Sequence, residues 1–129
     1  MRKGIKAAIA VAGIVGLMAA AGPAASAKDG DVIRRGSCSA ASNWKLKLSP
    51  QDGKTEVEYE VDQNVVGDTW RVRILENGNL IFSGKRVTQA PSGSFTVRTL
   101  APNPAGTDSF RARAVNLSTA ETCVGRAQI

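Results

Sequence analysis

The side chains with the clearest binding chemistry in this sequence are arginines that alternate with apolar residues. Arg71 and Arg73 stand two residues apart in one such run, Arg111 and Arg113 in a second, and Arg126 lies in a third. Residues two apart point to the same face of a β-strand. A guanidinium group also makes two-pronged contacts with phosphate or carboxylate groups. We therefore expect the five arginines to share one outer sheet face and to dock an anionic polymer or an acidic protein.

A purely solubilising role is the alternative for this arginine face. Glu76, Asp108 and Glu121 lie near the arginines in the sequence and are candidates to balance their charge. Adjacent like charges destabilise a sheet when nothing compensates them. No aromatic residue is expected among the arginines on this face, so base stacking and a nucleic-acid partner are not predicted.

A β-hairpin beginning at Trp70 is the predicted element around which the chain is organised. Asn77-Gly78 forms its turn, since this pair favours the positive φ angles that a type I′ turn needs at both central residues. Leu80 and Phe82 are expected to continue the apolar face on the return strand, which fades near residue 88. The Trp70 side chain is then expected to lie in the middle of the core.

Further short strands, separated by turn-forming residues, complete a predicted set of seven. They are expected over 43–48, 54–62, 94–100, 108–116 and 121–129. The segment 28–36 is polar, although Val32 and Ile33 are able to begin an edge strand. Short strands at this spacing, with no helix of useful length after residue 27, predict an all-β sandwich.

One predicted strand carries a motif that resembles immunoglobulin-type domains. Phe110, Ala112, Ala114 and Asn116 resemble their Tyr-x-Cys-x-Ala-x-Asn run, and Trp70 looks like their core tryptophan. The resemblance implies a seven-stranded antiparallel sandwich of the fibronectin type III kind. It would place 43–48, 54–62 and 94–100 in one sheet and the other strands in the second. The leader and the small format also resemble small exported proteins of actinobacteria, and neither likeness transfers an activity.

Residues 1–27 have the three parts of a secretory signal peptide. Arg2, Lys3 and Lys6 precede an apolar run over 7–21, and residues 25–27 read Ala-Ser-Ala, as at a cleavage site. A retained anchor is the alternative, although a membrane span needs about 20 strongly apolar residues. Cleavage removes three of the 17 basic residues and none of the 11 acidic ones, so the net charge falls from +6 to +3. We expect a secreted or wall-associated monomer of residues 28–129.

Two cysteines, Cys38 and Cys123, lie near the ends of the predicted domain. In an exported chain such a pair favours a single disulfide. Closing a loop of about 85 residues stabilises a fold by roughly 4–5 kcal/mol at most in the chain-entropy model. Free thiols for redox or metal chemistry are the alternative, which the absence of a Cys-x-x-Cys motif disfavours.

The sequence offers few residues for catalysis. It contains no histidine, which excludes histidine-based triads and imidazole metal ligands. We therefore expect a protein that is not an enzyme and needs no cofactor or metal. A weak hydrolase with paired carboxylates remains a second alternative function, and it would need a pocket in which carboxylates converge.

Alternating charges predict a structural role for the outer face of the other sheet. The expected ion pairs join Glu56, Glu58 and Glu60 to the flanking Lys45, Lys47 and Arg98. Opposite charges across neighbouring strands are modestly stabilising, and exposed pairs contribute little each.

Apolar residues in predicted turns form a second candidate site. They are Val65, Val66, Pro91 and Leu117, in three loops that should gather at one end of a sandwich. Exposed apolar loop tips are typical of binding surfaces on such scaffolds. Protein recognition or inhibition through this end is therefore the first alternative function. Burial of Val65 and Val66 beneath the sandwich is the competing structural interpretation.

Overall fold

The structure, a computed structural model, describes residues 27–129 as eight antiparallel β-strands. They are β1 (Val32–Ser37), β2 (Asn43–Gln51), β3 (Lys54–Asp62), β4 (Thr69–Glu76), β5 (Asn79–Val87), β6 (Ser94–Pro102), β7 (Ser109–Asn116) and β8 (Thr122–Gln128). Two four-stranded sheets have the orders β1-β2-β3-β6 and β5-β4-β7-β8. The predicted signal peptide lies outside the described residues apart from Ala27. From residue 27 onward, no helix is long and apolar enough to cross a membrane.

The predicted number of seven strands is wrong, because 32–37 forms a complete edge strand. β1 pairs with β2 from Val32 opposite Leu48 to Ser37 opposite Asn43. Its sequence, VIRRGS, lacks the alternation that marks a half-buried strand, but an edge strand needs only one neighbour for its hydrogen bonds. The other seven strands divide between the sheets as predicted, and β1 joins the first sheet.

The inner faces of the two sheets form one apolar core. Its fully buried side chains include Leu46, Leu48, Val57, Tyr59, Val61, Trp70, Val72, Ile74 and Val97. These residues occupy alternate positions of their strands, as the period of two predicts. Trp70 is buried as expected, with its ring centroid 6.0 Å from that of Phe95. It lies near one end of the core rather than in the middle, because its register partner is Asn116, the last residue of β7.

The hairpin of β4 and β5 contains a β-bulge that the sequence did not predict. Asn77 and Gly78 have φ angles of 50° and 84°, which fits the predicted turn. Leu80 pairs with Leu75 but Phe82 pairs with Ile74, so an extra residue stands between them on β5. The bulge reverses the alternation of inner and outer positions. Phe82 therefore faces inward, whereas the prediction for Leu80 is wrong and its side chain is 49% exposed.

The predicted disulfide is confirmed, and it joins the edges of the two sheets. Cys38 follows β1 and Cys123 lies in β8, with 4.3 Å between their Cα atoms. The described residues contain no free cysteine, which rules out the free-thiol alternative for this pair.

The ring of Trp44 packs between glycines of two edge strands close to the disulfide. A Cβ atom at Gly36 of β1 would lie 2.6 Å from Cζ2 of Trp44, and one at Gly125 of β8 would lie 2.8 Å from Cε3. Both distances are too short for non-bonded carbon atoms. Glycine at these two positions therefore makes the space into which the ring fits.

Ion pairs on the outer face of the first sheet follow the prediction in part. Lys45 lies 3.6 Å from Glu60, and Arg98 lies 3.5 Å from Glu58. Lys47 contacts Asp31 at 3.7 Å instead of a glutamate of β3, because β1 brings Asp31 to the other side of β2. Among the described residues, Glu56 takes part in no ion pair.

Candidate anion-binding face

The outer face of the second sheet carries all five predicted arginines. Arg73 of β4 lies directly opposite Arg113 of β7, and Arg111 lies opposite Arg126 of β8. Arg71 precedes Arg73 by two residues and so shares its face. Four of the five are exposed and Arg111 is half-buried. We refer to this surface as the arginine face.

The carboxylates expected to balance these charges lie elsewhere. Glu121 accepts hydrogen bonds from the backbone N and the Oγ of Ser42, at 2.8 and 2.7 Å. Asp108 accepts one from Nδ2 of Asn77 at 3.1 Å, and Glu76 is buried. All ion pairs between described residues are on the first sheet, so none involves the arginine face. Its positive charge is therefore uncompensated within this part of the protein.

A sixth basic residue, Lys85, belongs to the same face, although the pattern of the sequence did not predict it there. Lys85 lies opposite Arg71. Arg86, the next residue of β5, lies opposite Trp70 on the inner side of the sheet, with its guanidinium carbon 5.1 Å from the centroid of the Phe82 ring. A hairpin without the bulge would place Lys85 opposite Trp70, on the inner face. The missing information is therefore the bulge at Ile81, which has no clear signature in the sequence.

The arginine face is not flat, because hollows lie between its guanidinium groups. One of about 340 Å³ is lined by Arg73, Leu75, Arg111 and Arg113. The Nε atom of Arg111 is buried and has no hydrogen-bond partner. No aromatic side chain of the described strands lies on this outer face, so a bound anion would be held by charge and hydrogen bonds rather than by stacking.

A pair of buried carboxylates lies at the end of the core, next to the hairpin turn. The side chains of Glu76 and Asp108 are only 6% and 1% exposed, and each has an oxygen without a hydrogen-bond partner. Burial, and secondarily the charge of Asp108, raises the pKa of Glu76 above its ordinary value of 4.5. Within residues 27–129, no three His, Cys, Asp or Glu residues gather as metal ligands.

The raised pKa of Glu76 predicts a substitution that stabilises the fold. Because folding disfavours the ionised form, this carboxylate lowers stability at neutral pH. The penalty shrinks as the pH falls through the raised pKa and is lost only below the ordinary value of 4.5. Glu76→Gln should increase the free energy of unfolding at neutral pH on the order of 1 kcal/mol. Thermal melting across pH tests this, with Glu56→Gln as the control. A gain that persists below pH 4 would contradict the electrostatic explanation.

Three loops meet at the opposite end of the sandwich, where the second candidate site was predicted. The backbone N atoms of Gln63 and Asn64 donate to the carbonyl oxygen of Gly93, and that of Leu117 donates to Thr69. Hydrogen bonds therefore join the β3–β4 loop to the β5–β6 loop and the β7–β8 turn to the start of β4. We refer to this surface as the loop end.

The apolar residues of the loop end face outward. The side chains of Val65, Val66 and Leu117 are 51%, 54% and 45% exposed, and Pro91 is also exposed. The interpretation in which Val65 and Val66 are buried beneath the sandwich is therefore wrong. Their loop is held at its base instead, by backbone bonds and polar side chains.

A polar cluster anchors this end to the core. Asp68 accepts hydrogen bonds from Nδ2 of Asn116 at 3.0 Å and Nε2 of Gln63 at 2.6 Å, and Gln63 in turn accepts one from Nε1 of Trp70. The bonds from Asn116 and then Gln63 hold the pKa of Asp68 below its ordinary value of 3.8. The Asp68 carboxylate thus stabilises the fold above pH 3.8, and this contribution is lost as the pH falls through its lowered pKa.

The fold and the site together define an antiparallel β-sandwich with one disulfide and an uncompensated arginine face. No protein-family model matches this chain, and comparisons with curated proteins and with solved structures found no match. Evidence for a function therefore comes from the chemistry of the chain itself.

Proposed function

We propose that this protein is a secreted, non-enzymatic binding module with an immunoglobulin-like, fibronectin type III-like fold. It docks an anionic polymer or an acidic protein through Arg71, Arg73, Arg111, Arg113 and Arg126. The observation that carries this proposal is the gathering of five guanidinium groups on one outer face, without an ion pair among the described residues.

The repulsion among these arginines lowers the stability of the free protein. Arg73 and Arg113 are directly opposite, and like charges in that position destabilise a sheet. An anionic partner removes this repulsion and gains charge-assisted hydrogen bonds. None of the described acidic residues forms an ion pair with these arginines. The guanidinium groups are therefore free to bind an external anion, which favours a partner over a solubilising role.

Two features support an extracellular location. The leader over 1–27 has the composition of a signal peptide, and a structural disulfide is typical of proteins that fold in an oxidising compartment. A secreted protein with a basic face meets the anionic polymers and acidic proteins of the cell surface.

An NMR titration of isotope-labelled protein tests the proposal. Linear polyphosphate and poly-L-glutamate, added separately at low salt, should shift amide signals of β4, β7 and β8 and leave those of β1, β2 and β3 in place. The shifts should fade at moderate salt, since exposed charges are screened over about 10 Å at 0.1 M. The absence of shifts on the arginine face with both polymers at low salt would reject this function.

The loop end supports a second candidate function, which is protein recognition or inhibition. Val65, Val66 and Leu117 are each about half exposed on loops that are anchored by hydrogen bonds. Binding through these side chains should depend little on salt. It should be weakened by Val66→Ser and Leu117→Ser, whereas substitutions on the arginine face should leave it unchanged.

A further inference from the structure

The basic residues of the second sheet form a diagonal band rather than a cluster. Three cross-strand pairs compose it: Lys85 with Arg71, Arg73 with Arg113, and Arg111 with Arg126. Each pair is displaced from the one before it by one strand and by two residues along the strand. We call these six residues the cationic band. It crosses all four strands, from the edge strand β5 to the edge strand β8.

Sheet geometry sets the dimensions of this band. Neighbouring strands are about 4.8 Å apart and residues two apart on one strand are about 6.8 Å apart, so the centres of successive pairs are separated by about 8 Å. From Lys85 to Arg126 the band is about 20 Å long by the same spacing. Its width is a single cross-strand pair throughout.

Hollows in the surface follow the same diagonal. The first, of about 30 Å³, is lined by Arg71, Arg73, Arg113 and Val115, and it shares Arg73 and Arg113 with the hollow of about 340 Å³. That second hollow shares Leu75 and Arg111 with a third, of about 250 Å³, which Arg126 also lines. The three depressions thus succeed one another along the band.

Neutral side chains border the band on both sides. On one side they are Leu75, Leu80 and Ser83, and on the other they are Val115, Thr122 and Val124. No acidic residue occupies an outer-face position of these four described strands. The positive charge is therefore confined to a narrow line, a shape that fits an extended chain better than a rounded acidic surface.

We propose that the cationic band binds a linear polymer of phosphate groups, extended along the diagonal. This inference rests on the proposed function and names its ligand. Each phosphate in such a chain carries its free oxygens on both sides of the polymer axis. A phosphate between the two members of a cross-strand pair therefore accepts hydrogen bonds from both cations, and arginine is well suited to such contacts. A polycarboxylate presents each carboxylate on one side only and makes fewer of these bonds.

The first test varies the length of the ligand. Binding of linear polyphosphate fractions to the intact protein is measured by calorimetry, with orthophosphate and tripolyphosphate as short probes. Affinity should rise steeply until the chain spans about 20 Å, and then increase only in proportion to the number of overlapping sites. Poly-L-glutamate of matched charge should bind at least about tenfold more weakly, which corresponds to the loss of one charged hydrogen bond.

The second test removes one pair of charges at a time. Arg73→Gln combined with Arg113→Gln should weaken polyphosphate binding at least about tenfold. The slope of log K against log salt should fall by about 1.4, since each released charge contributes about 0.7 with a single-stranded polyanion. Lys85→Gln alone should lower the slope by about 0.7. The matched control is Arg34→Gln combined with Arg35→Gln, which removes two exposed arginines of the first sheet and should change neither quantity.

The outcomes separate this inference from the proposed function. Equal affinity for tripolyphosphate and long chains would overturn the extended mode and leave a discrete anion site on the arginine face. Equal affinity for poly-L-glutamate would overturn the choice of phosphate. An unchanged salt slope in Lys85→Gln, with a loss in the Arg73 and Arg113 variant, would remove the diagonal band but keep the arginine face. Absence of polyphosphate binding while poly-L-glutamate still binds at low salt would likewise overturn only the choice of phosphate. Binding of both polymers that no band variant changes, or no binding of either polymer at low salt, would overturn both. Thermal melting confirms that each variant is folded.

Discussion

Replacing Cys38 and Cys123 together by alanine is expected to lower the free energy of unfolding by about 3–4.5 kcal/mol. The bond closes a loop of 85 residues, nearly the whole described chain, and the chain-entropy cost of such a loop is about 4.5 kcal/mol at most. For a domain of this size, the melting temperature should fall by roughly 10–20 °C. Thermal and urea unfolding of the wild type and the variant measure the effect.

The site of the bond predicts where the loss will appear first. Cys38 directly follows β1, which has hydrogen bonds to β2 alone and few apolar side chains. Without the bond, hydrogen exchange should accelerate most at the amides of β1. A reducing agent should lower the melting temperature of the wild type and leave that of the double alanine variant unchanged. A fully reduced wild type that melts at its original temperature would contradict the prediction.

Gly125→Ala is expected to destabilise the fold by about 1–3 kcal/mol through overpacking. The new methyl group would lie 2.8 Å from the ring of Trp44. The ring has little room to retreat, because Gly36 lies so close to its other edge that even a Cβ atom built there would come within 2.6 Å of Cζ2. Chemical unfolding measures this effect. Gly84→Ala on the edge strand β5 is a suitable control, since the added Cβ atom would lie 3.1 Å from the far end of the flexible Phe82 side chain.

A double-mutant cycle identifies the clash as the cause. In a Trp44→Leu background, Gly125→Ala should cost much less than in the wild type, because the ring is gone. The same penalty in both backgrounds would show that Trp44 is not responsible. In that case the destabilisation would come from the conformation of β8 itself.

Local patterns in the sequence account for most of the core and for much of the arginine face. Alternation with a period of two predicts the inward positions of Val57, Tyr59 and Val61 and the outward positions of Arg71 and Arg73, because neighbouring side chains of a strand leave opposite faces. These predictions need no knowledge of the partner strands. They were confirmed for that reason.

Four features could be predicted from the amino-acid sequence alone: the all-β class, the turn at Asn77-Gly78, the disulfide and the outward direction of five arginines. Each follows from a local period, a turn preference or a single possible pairing. Features that depend on register and on neighbouring strands emerged only from the folded chain: the edge strand β1, the contact between Lys47 and Asp31, and the bulge that turns Phe82 inward. That bulge also moves Lys85 beside Arg71, and the pairing of β4, β7 and β8 arranges the charges along a diagonal. Register sets these features because a shift of one residue moves every following side chain to the opposite face of the sheet.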